Sequence, residues 1–247
     1  MNFLTHVLHL AGSSAAAYVG ARQIRDPLTR PNVLAGFQLA ESGSVPFLEA
    51  LSKRAAAEGD TWLAEKLAKH AADEMRHGHI FAHALKQINK QVIDFKNLPK
   101  PKTENKSNAQ RSPFFAAYFE GYSSEQLKPE AIPWDVFMAS TYILELDASK
   151  DFARMANVLP EDEATSRNLK KGMLSIANDE TGHAAYLYEA MTRRMSTLEV
   201  QKLIDAWRTR KVNALLAMVG GLLQRDGQMP SLVQDAAPVD MLDAAAA

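Results

Sequence analysis

The phrase Asp-Glu-x-x-His occurs twice in this chain of 247 residues, as Asp73-Glu74-Met75-Arg76-His77 and as Asp179-Glu180-Thr181-Gly182-His183. Residues three apart on an α-helix share a face, so Glu74 points with His77 and Glu180 with His183. A further glutamate precedes each phrase: Glu41, 33 residues before Glu74, and Glu145, 35 residues before Glu180. Carboxylate oxygens and neutral imidazole nitrogens suit iron, manganese or zinc. Four carboxylates and two imidazoles at these offsets are what a four-helix bundle needs to hold two metal ions in its core. Without cations, four inward carboxylates would repel one another and resist ionisation. The chemistry on offer is therefore that of a metal pair, redox chemistry above all.

A single Glu-x-x-His is common on charged helices, and surface glutamates with partners three residues on are the plainer alternative. The flanks argue against it. Glu41 follows Phe37-Gln38-Leu39-Ala40, and Glu145 follows Tyr142-Ile143-Leu144. Of seven histidines, only His183 lies beyond residue 83, and it falls in the required slot. Three more residues are candidate catalytic groups. His70, four before Glu74, shares its face as an extra ligand, a proton donor or, more plainly, a hydrogen-bonded histidine closing the core. Tyr142 precedes Glu145 by three, and Tyr186 follows His183 by three; either approaches the metals or is a packed core aromatic with a satisfied hydroxyl. Gly43, Ser44 and Ala148 leave room beside the ligands or serve close helix packing. His79 and His83 fall on the solvent side.

The elements that must position these groups are helical almost throughout. The expected helices span about 2–25, 31–58, 60–92, 134–158, 161–195 and 197–224, with a short Phe-rich piece at 113–122. Pro46 should kink the second helix near 40–43. The polar, proline-containing segment 93–112 is long enough for the crossover between two antiparallel helix pairs. The reading is one all-α domain over 1–224 with its core at about 31–195, extra N- and C-terminal helices, and a disordered tail at 225–247. The sixth helix has more apolar surface than a free helix needs, and packs across the bundle or makes a homodimer contact.

Composition narrows the function classes. Cysteine is absent, which excludes disulfides, thiolate metal sites, iron–sulfur clusters and cysteine catalysis among these residues. Electrons for redox chemistry must come from an external donor. The net charge is −1, so nothing draws the whole chain to nucleic acid or an anionic membrane. Basic residues at 96–111 and from Arg193 to Lys211 read as solvated faces, not as an RNA surface. No run reaches the ~20 apolar residues of a membrane span. The N-terminal stretch reads as a first helix, not a signal peptide, because His6 and His9 interrupt it and no Lys or Arg precedes it. The expected location is cytoplasmic.

Glu41, Glu74-x-x-His77, Glu145 and Glu180-x-x-His183 together resemble the ligand set of the ferritin-like di-iron carboxylate superfamily. Its members include bacterioferritin, rubrerythrin, the ribonucleotide reductase small subunit, bacterial multicomponent monooxygenases, aldehyde-deformylating oxygenase and a tRNA hydroxylase. The resemblance rests on six positions within about 31–195. It implies a left-handed ferritin-like four-helix bundle with a long crossover, a di-iron cofactor, and oxygen or peroxide chemistry, with manganese or a mixed manganese–iron pair as alternatives. By the same resemblance Glu74 and Glu180 bridge or chelate, and His77 and His183 each bind one iron. Asp73 and Asp179 stand where the superfamily often places an acid that accepts a hydrogen bond from a ligand histidine. Pseudo-symmetry pairs Asp73 with His183 and Asp179 with His77. Arg76 matches a Glu-x-Arg-His variant of the motif, whereas Gly182 occupies that place in the second copy. The activity implied is an oxidase or oxygenase acting with O2 on a small or apolar organic substrate. A ferroxidase or peroxide scavenger of the bacterioferritin or rubrerythrin type, and a tRNA-modifying hydroxylase, are the alternatives.

Overall fold

The computed structural model describes residues 3–93, 112–223 and 232–233. Seven helices follow in order: α1 (Phe3–Arg25), α2 (Arg30–Ala57), α3 (Thr61–Gln87), α4 (Pro113–Tyr118), α5 (Trp134–Asn157), α6 (Ala164–Thr192) and α7 (Thr197–Leu223). No strand is present among the described residues, and no helix there is long and apolar enough to cross a membrane. The expected crossover at 93–112 and the tail at 225–247 lie almost wholly outside the described residues.

Local chemistry sets the boundaries. Asp60 caps α3 by accepting from the Leu63 amide at 2.9 Å, just after Gly59 turns the chain at φ +86°. Ser112 caps α4, and Ser196 with Glu199 forms a reciprocal capping box at the start of α7. The structure ends α3 at Gln87, five residues before the expected Val92. Asn89 takes a left-handed conformation at φ +55°, and the amides of Ile88, Asn89 and Lys90 turn back to carbonyls of the last turn. Ile93 then exchanges backbone hydrogen bonds with the side-chain amide of Gln38. Pro46 lies inside α2, which runs on to Ala57; the amide it lacks would have reached the Ser42 carbonyl, beside Glu41.

α2 packs on α3 and α5 on α6, and α3 joins the two pairs through α6. The apolar interior comes in two blocks. One holds Leu48, Leu51, Leu67, Phe137, Ile143, Leu187 and their neighbours. The other holds Leu34, Phe81, Leu85, Phe152, Met173 and Ile176. Each of these four helices supplies residues to both blocks and its metal-ligand candidates to the tier between them. The order of blocks along each helix gives direction. α3 and α5 run from the first block to the second, and α2 and α6 run the other way. The connection from α3 to α5 therefore joins opposite ends of the bundle, which a short loop cannot do.

The remaining helices cover this core. Tyr118 of α4 packs edge-on against Trp207 of α7, with ring centroids 5.0 Å apart, and its hydroxyl donates to the Ser140 carbonyl at 2.8 Å. α1 lies on α5, α7 and α2. Lys211 of α7 pairs in the interior with Asp147 of α5, joined by Ser13 and His9 of α1. Most of the cations from Arg193 to Lys211 are engaged within the chain. Arg193 lies over the Trp62 ring, Arg194 pairs with Asp60, Arg208 with Asp205, and Arg210 donates to carbonyls of Tyr118 and Glu120.

α3 and α6 approach closely where Gly172 faces Ile80: a Cβ on Gly172 would fall 2.6 Å from Ile80 Cγ2. Gly172→Ala should therefore lower stability by about 1–3 kcal/mol, and Ile80→Ala in the same chain should recover part of the loss. Thermal melts of the two single variants and the double variant check this; additive losses would show that the two positions do not meet.

Candidate metal centre

The tier between the two apolar blocks is built from four helices. α2 supplies Glu41, α3 supplies His70, Glu74 and His77, α5 supplies Glu145, and α6 supplies Glu180 and His183. All but Glu145 are buried, and Glu145 is half-buried. Spacings of three, four and seven on α3 place its three ligand candidates on one face, as the helical repeat requires.

Ligand atoms collect into two groups, each within 4.8 Å: Glu41, Glu74, His77 and Glu180 in one, and His70, Glu74, Glu145 and His183 in the other. Glu74 belongs to both. Glu180 also spans them, with Oε1 3.2 Å from His77 Nδ1 and Oε2 2.8 Å from His183 Nδ1. The structure thus brings together all six residues identified from spacing, and with them His70, the candidate extra ligand on the same face of α3.

The outward nitrogens of the rings are held as well. His183 Nε2 lies 3.3 Å from Asp73 Oδ2, and His77 Nε2 lies 3.3 Å from Asp179 Oδ2. Each aspartate is fixed in turn by a cation, and here the two halves differ. Lys69 reaches Asp73 from the same helix, whereas Arg76 crosses from α3 to Asp179 and also donates to the Ser175 hydroxyl. Gly182, in the position matching Arg76, has open space where a side chain would begin.

His77 Nδ1 tests whether this donor set fits a metal. It is buried and makes no hydrogen bond. Yet Glu180 Oε1, Glu41 Oε2 and Glu74 Oε1 surround it at 3.2, 3.4 and 3.7 Å. A buried nitrogen facing three carboxylates without bonding to any of them is costly unless a shared partner lies between. A metal cation would be such a partner, and buried Glu and His groups of this kind can hold one. The residues present fit a metal.

Electrostatics agree. Burial pushes the Glu41 carboxyl well above the usual range, opposed by His77 and reinforced by Glu74 and Glu180. Burial also raises Glu145, with Glu180 and Glu74 adding to it. For Glu180, burial works upward but the adjoining His183, His77 and Glu145 outweigh it and hold the group below the usual carboxylate range. Glu74 is lowered in the same way, burial being overcome by His70 and Glu41. Burial opposes charge on His77, yet the carboxylates of Glu180 and Glu41 close to its ring push it up to about 10. Protons thus do the neutralising in the metal-free tier, and a metal must displace them.

The other expected site residues divide. Tyr186 is buried, and its hydroxyl lies 2.8 Å from His70 Nδ1. Burial raises its phenol well above the ordinary value, and Glu145 and Glu74 raise it further. Tyr142 does not belong here: its half-buried ring packs against Tyr188 at 5.9 Å, and no hydrogen bond or ring contact among the described residues links it to a ligand candidate. The room expected beside the ligands is not at Gly43, which is exposed. Ser44 is more than small: its hydroxyl lies 2.7 Å from the Glu41 carbonyl oxygen and 3.2 Å from Glu74 Oε2. An open groove of about 470 Å³ between α2 and α3 is lined by Gln38, Ser42, Met75 and Gly78 among others, and none of the seven tier residues lines it. The buried Asp147–Lys211 pair, two residues past Glu145, had no sequence signal beyond an ordinary charge.

Compared with family models, curated proteins and solved structures, the chain gives no match.

Two outcomes follow from the charge balance. Glu41, Glu145 and His77 keep protons in the folded chain that the unfolded chain gives up. Their stabilising contribution is complete below the unfolded values and is lost as pH rises through the folded ones. Metal replaces those protons, so the rise in Tm on adding Mn(II) or Fe(II) should be larger at about pH 8 than at about pH 5.5. Equal shifts at both would contradict proton displacement. Asp73→Asn and Asp179→Asn should each weaken metal binding by about 10–100-fold with little change in Tm of the metal-free protein, as read by competition with a chelator.

Proposed function

We propose that this chain is a non-haem di-iron oxidoreductase with a ferritin-like core, using O2 to oxidise or oxygenate an organic substrate. The observation that carries the reading is the buried tier in which Glu74 and Glu180 each face both His77 and His183. Two shared carboxylates, one terminal carboxylate from α2 and one from α5 would hold two cations close together, the arrangement of helix-bundle di-metal carboxylate sites. The direction of α2, α3, α5 and α6, with an end-to-end connection between α3 and α5, supports the ferritin-like topology. A di-iron pair held there would supply the electrons for reducing O2.

The chain's own residues do the rest. Glu41, Glu74, Glu145, Glu180, His77 and His183 would hold the metals. Asp73 and Asp179 orient the two rings and keep their protons on the outward nitrogens. The apolar blocks above and below keep bulk water from the tier. Tyr186, at the edge of the tier, has its hydroxyl within hydrogen-bond distance of His70 and holds that ring in place. The helices outside the four-helix core, α1, α4 and α7, are more covering than an iron store of minimal bundle form requires, which favours an organic substrate over iron itself. The cysteine-free sequence calls for an external electron donor.

Anaerobic loading with Fe(II), followed by O2 and an iron assay, tests the reading. The expected result is two irons per chain, with O2 consumed in proportion to bound iron and no mineral formed. Glu74→Ala and His183→Ala should lose at least one iron. Uptake of many irons with mineral formation would favour ferroxidase storage, and failure to bind metal would leave a structural helical protein.

A further inference from the structure

The tier holds three imidazoles, not two, and the third is arranged as the others are. His77 turns Nδ1 to the carboxylates and Nε2 to Asp179; His183 turns Nδ1 to the carboxylates and Nε2 to Asp73. His70 does the same with its nitrogens exchanged. Its Nε2 lies 3.2 Å from Glu74 Oε1 and 3.4 Å from Glu145 Oε1, and its Nδ1 lies 2.8 Å from the Tyr186 hydroxyl. The ring is 1% exposed and stacks on His183 with centroids 3.7 Å apart, so both rings present a nitrogen to one place. One nitrogen on carboxylates and the other on a fixed oxygen is the setting of a metal-bound histidine.

We propose that His70 is a seventh ligand, joining Glu74, Glu145 and His183 around one cation while Tyr186 holds its ring, so that the two metal positions have different donor sets. This rests on the two-metal reading above. One position then has three carboxylates and one imidazole, from Glu41, Glu74, Glu180 and His77. The other has two of each. Nitrogen donors favour the later first-row metals and oxygen donors the harder ones. The imidazole-rich position therefore fills first with Co(II) or Fe(II), and the carboxylate-rich position is the one that accepts Mn(II). With Nε2 on the metal, the neutral ring carries its proton on Nδ1 and donates it to the Tyr186 oxygen.

Co(II) titrated into the metal-stripped full-length protein tests this without any turnover. Each histidine bound to Co(II) through one nitrogen shows a strongly shifted, exchangeable N–H proton signal from the other. The wild-type protein should give three such signals and two resolved binding steps. His70→Gln should give two signals and weaken one step by about tenfold or more, with the second step unchanged. Tyr186→Phe, which leaves His70 in place, should keep three signals but let one exchange faster with water. Two signals in the wild type, or three in His70→Gln, would overturn the assignment. If the wild type binds no pair of Co(II) ions, the two-metal reading falls and this inference falls with it. A wild type that binds a pair through two histidines sinks only the role of His70.

Discussion

Charge neutrality in a dry interior is the constraint on which this structure depends. Four carboxylates from four helices meet between two apolar blocks, and such groups cannot all ionise there unaided. The metal-free chain answers with protons: Glu41 and Glu145 keep theirs, and His77 holds on to an extra one. That is a workable but strained compromise, because it leaves His77 Nδ1 facing three carboxylates with no hydrogen bond. A metal ion held by these groups would ease both problems at once.

Much of the fold serves to hold that tier still. Asp73 and Asp179 fix the rings, and Lys69 and Arg76 fix the aspartates. The two supports are not equivalent. The Lys69–Asp73 pair is confined to one helix, while Arg76 ties α3 to α6 through both Asp179 and Ser175. Farther out, Arg30 is buried at the α1–α2 turn, donating to the carbonyls of Ile24 and Arg25 and to the Ser166 hydroxyl, so the first helix is tied to the start of α6. The repeat seen in the sequence is thus a repeat of ligands, not of supports.

The sequence made the ligand tier legible because helical spacing is stiff. Three or four residues fix a face, and a glutamate inside an apolar run has few places to go. The pairing of Asp73 with His183 and Asp179 with His77 followed from the same symmetry. The start of α3 at Asp60 was readable from capping chemistry, while its early end was not, since Asn89 is only one of several polar residues that tolerate a left-handed turn. Tyr142 and Tyr186 show the limit. Both lie three residues from a ligand candidate, yet one points to His70 and the other to Tyr188. Which side of the face a neighbour takes depends on how the helices are rotated against one another, and one chain's spacing does not contain that. The Asp147–Lys211 contact was hidden for the same reason: it joins α5 to α7 across 64 residues.

The split interior has a bearing on how such a chain lives in a cell. The two apolar blocks meet only across the charged tier, and the helix backbones are the continuous links from one to the other. On the two-metal reading, cations spanning the tier would couple the blocks into one cooperative unit. Stripped of them, one end can open while the other stays folded, exposing cleavable backbone far from any loop. Abundance of the polypeptide would then follow the iron supply through turnover, without a dedicated regulator.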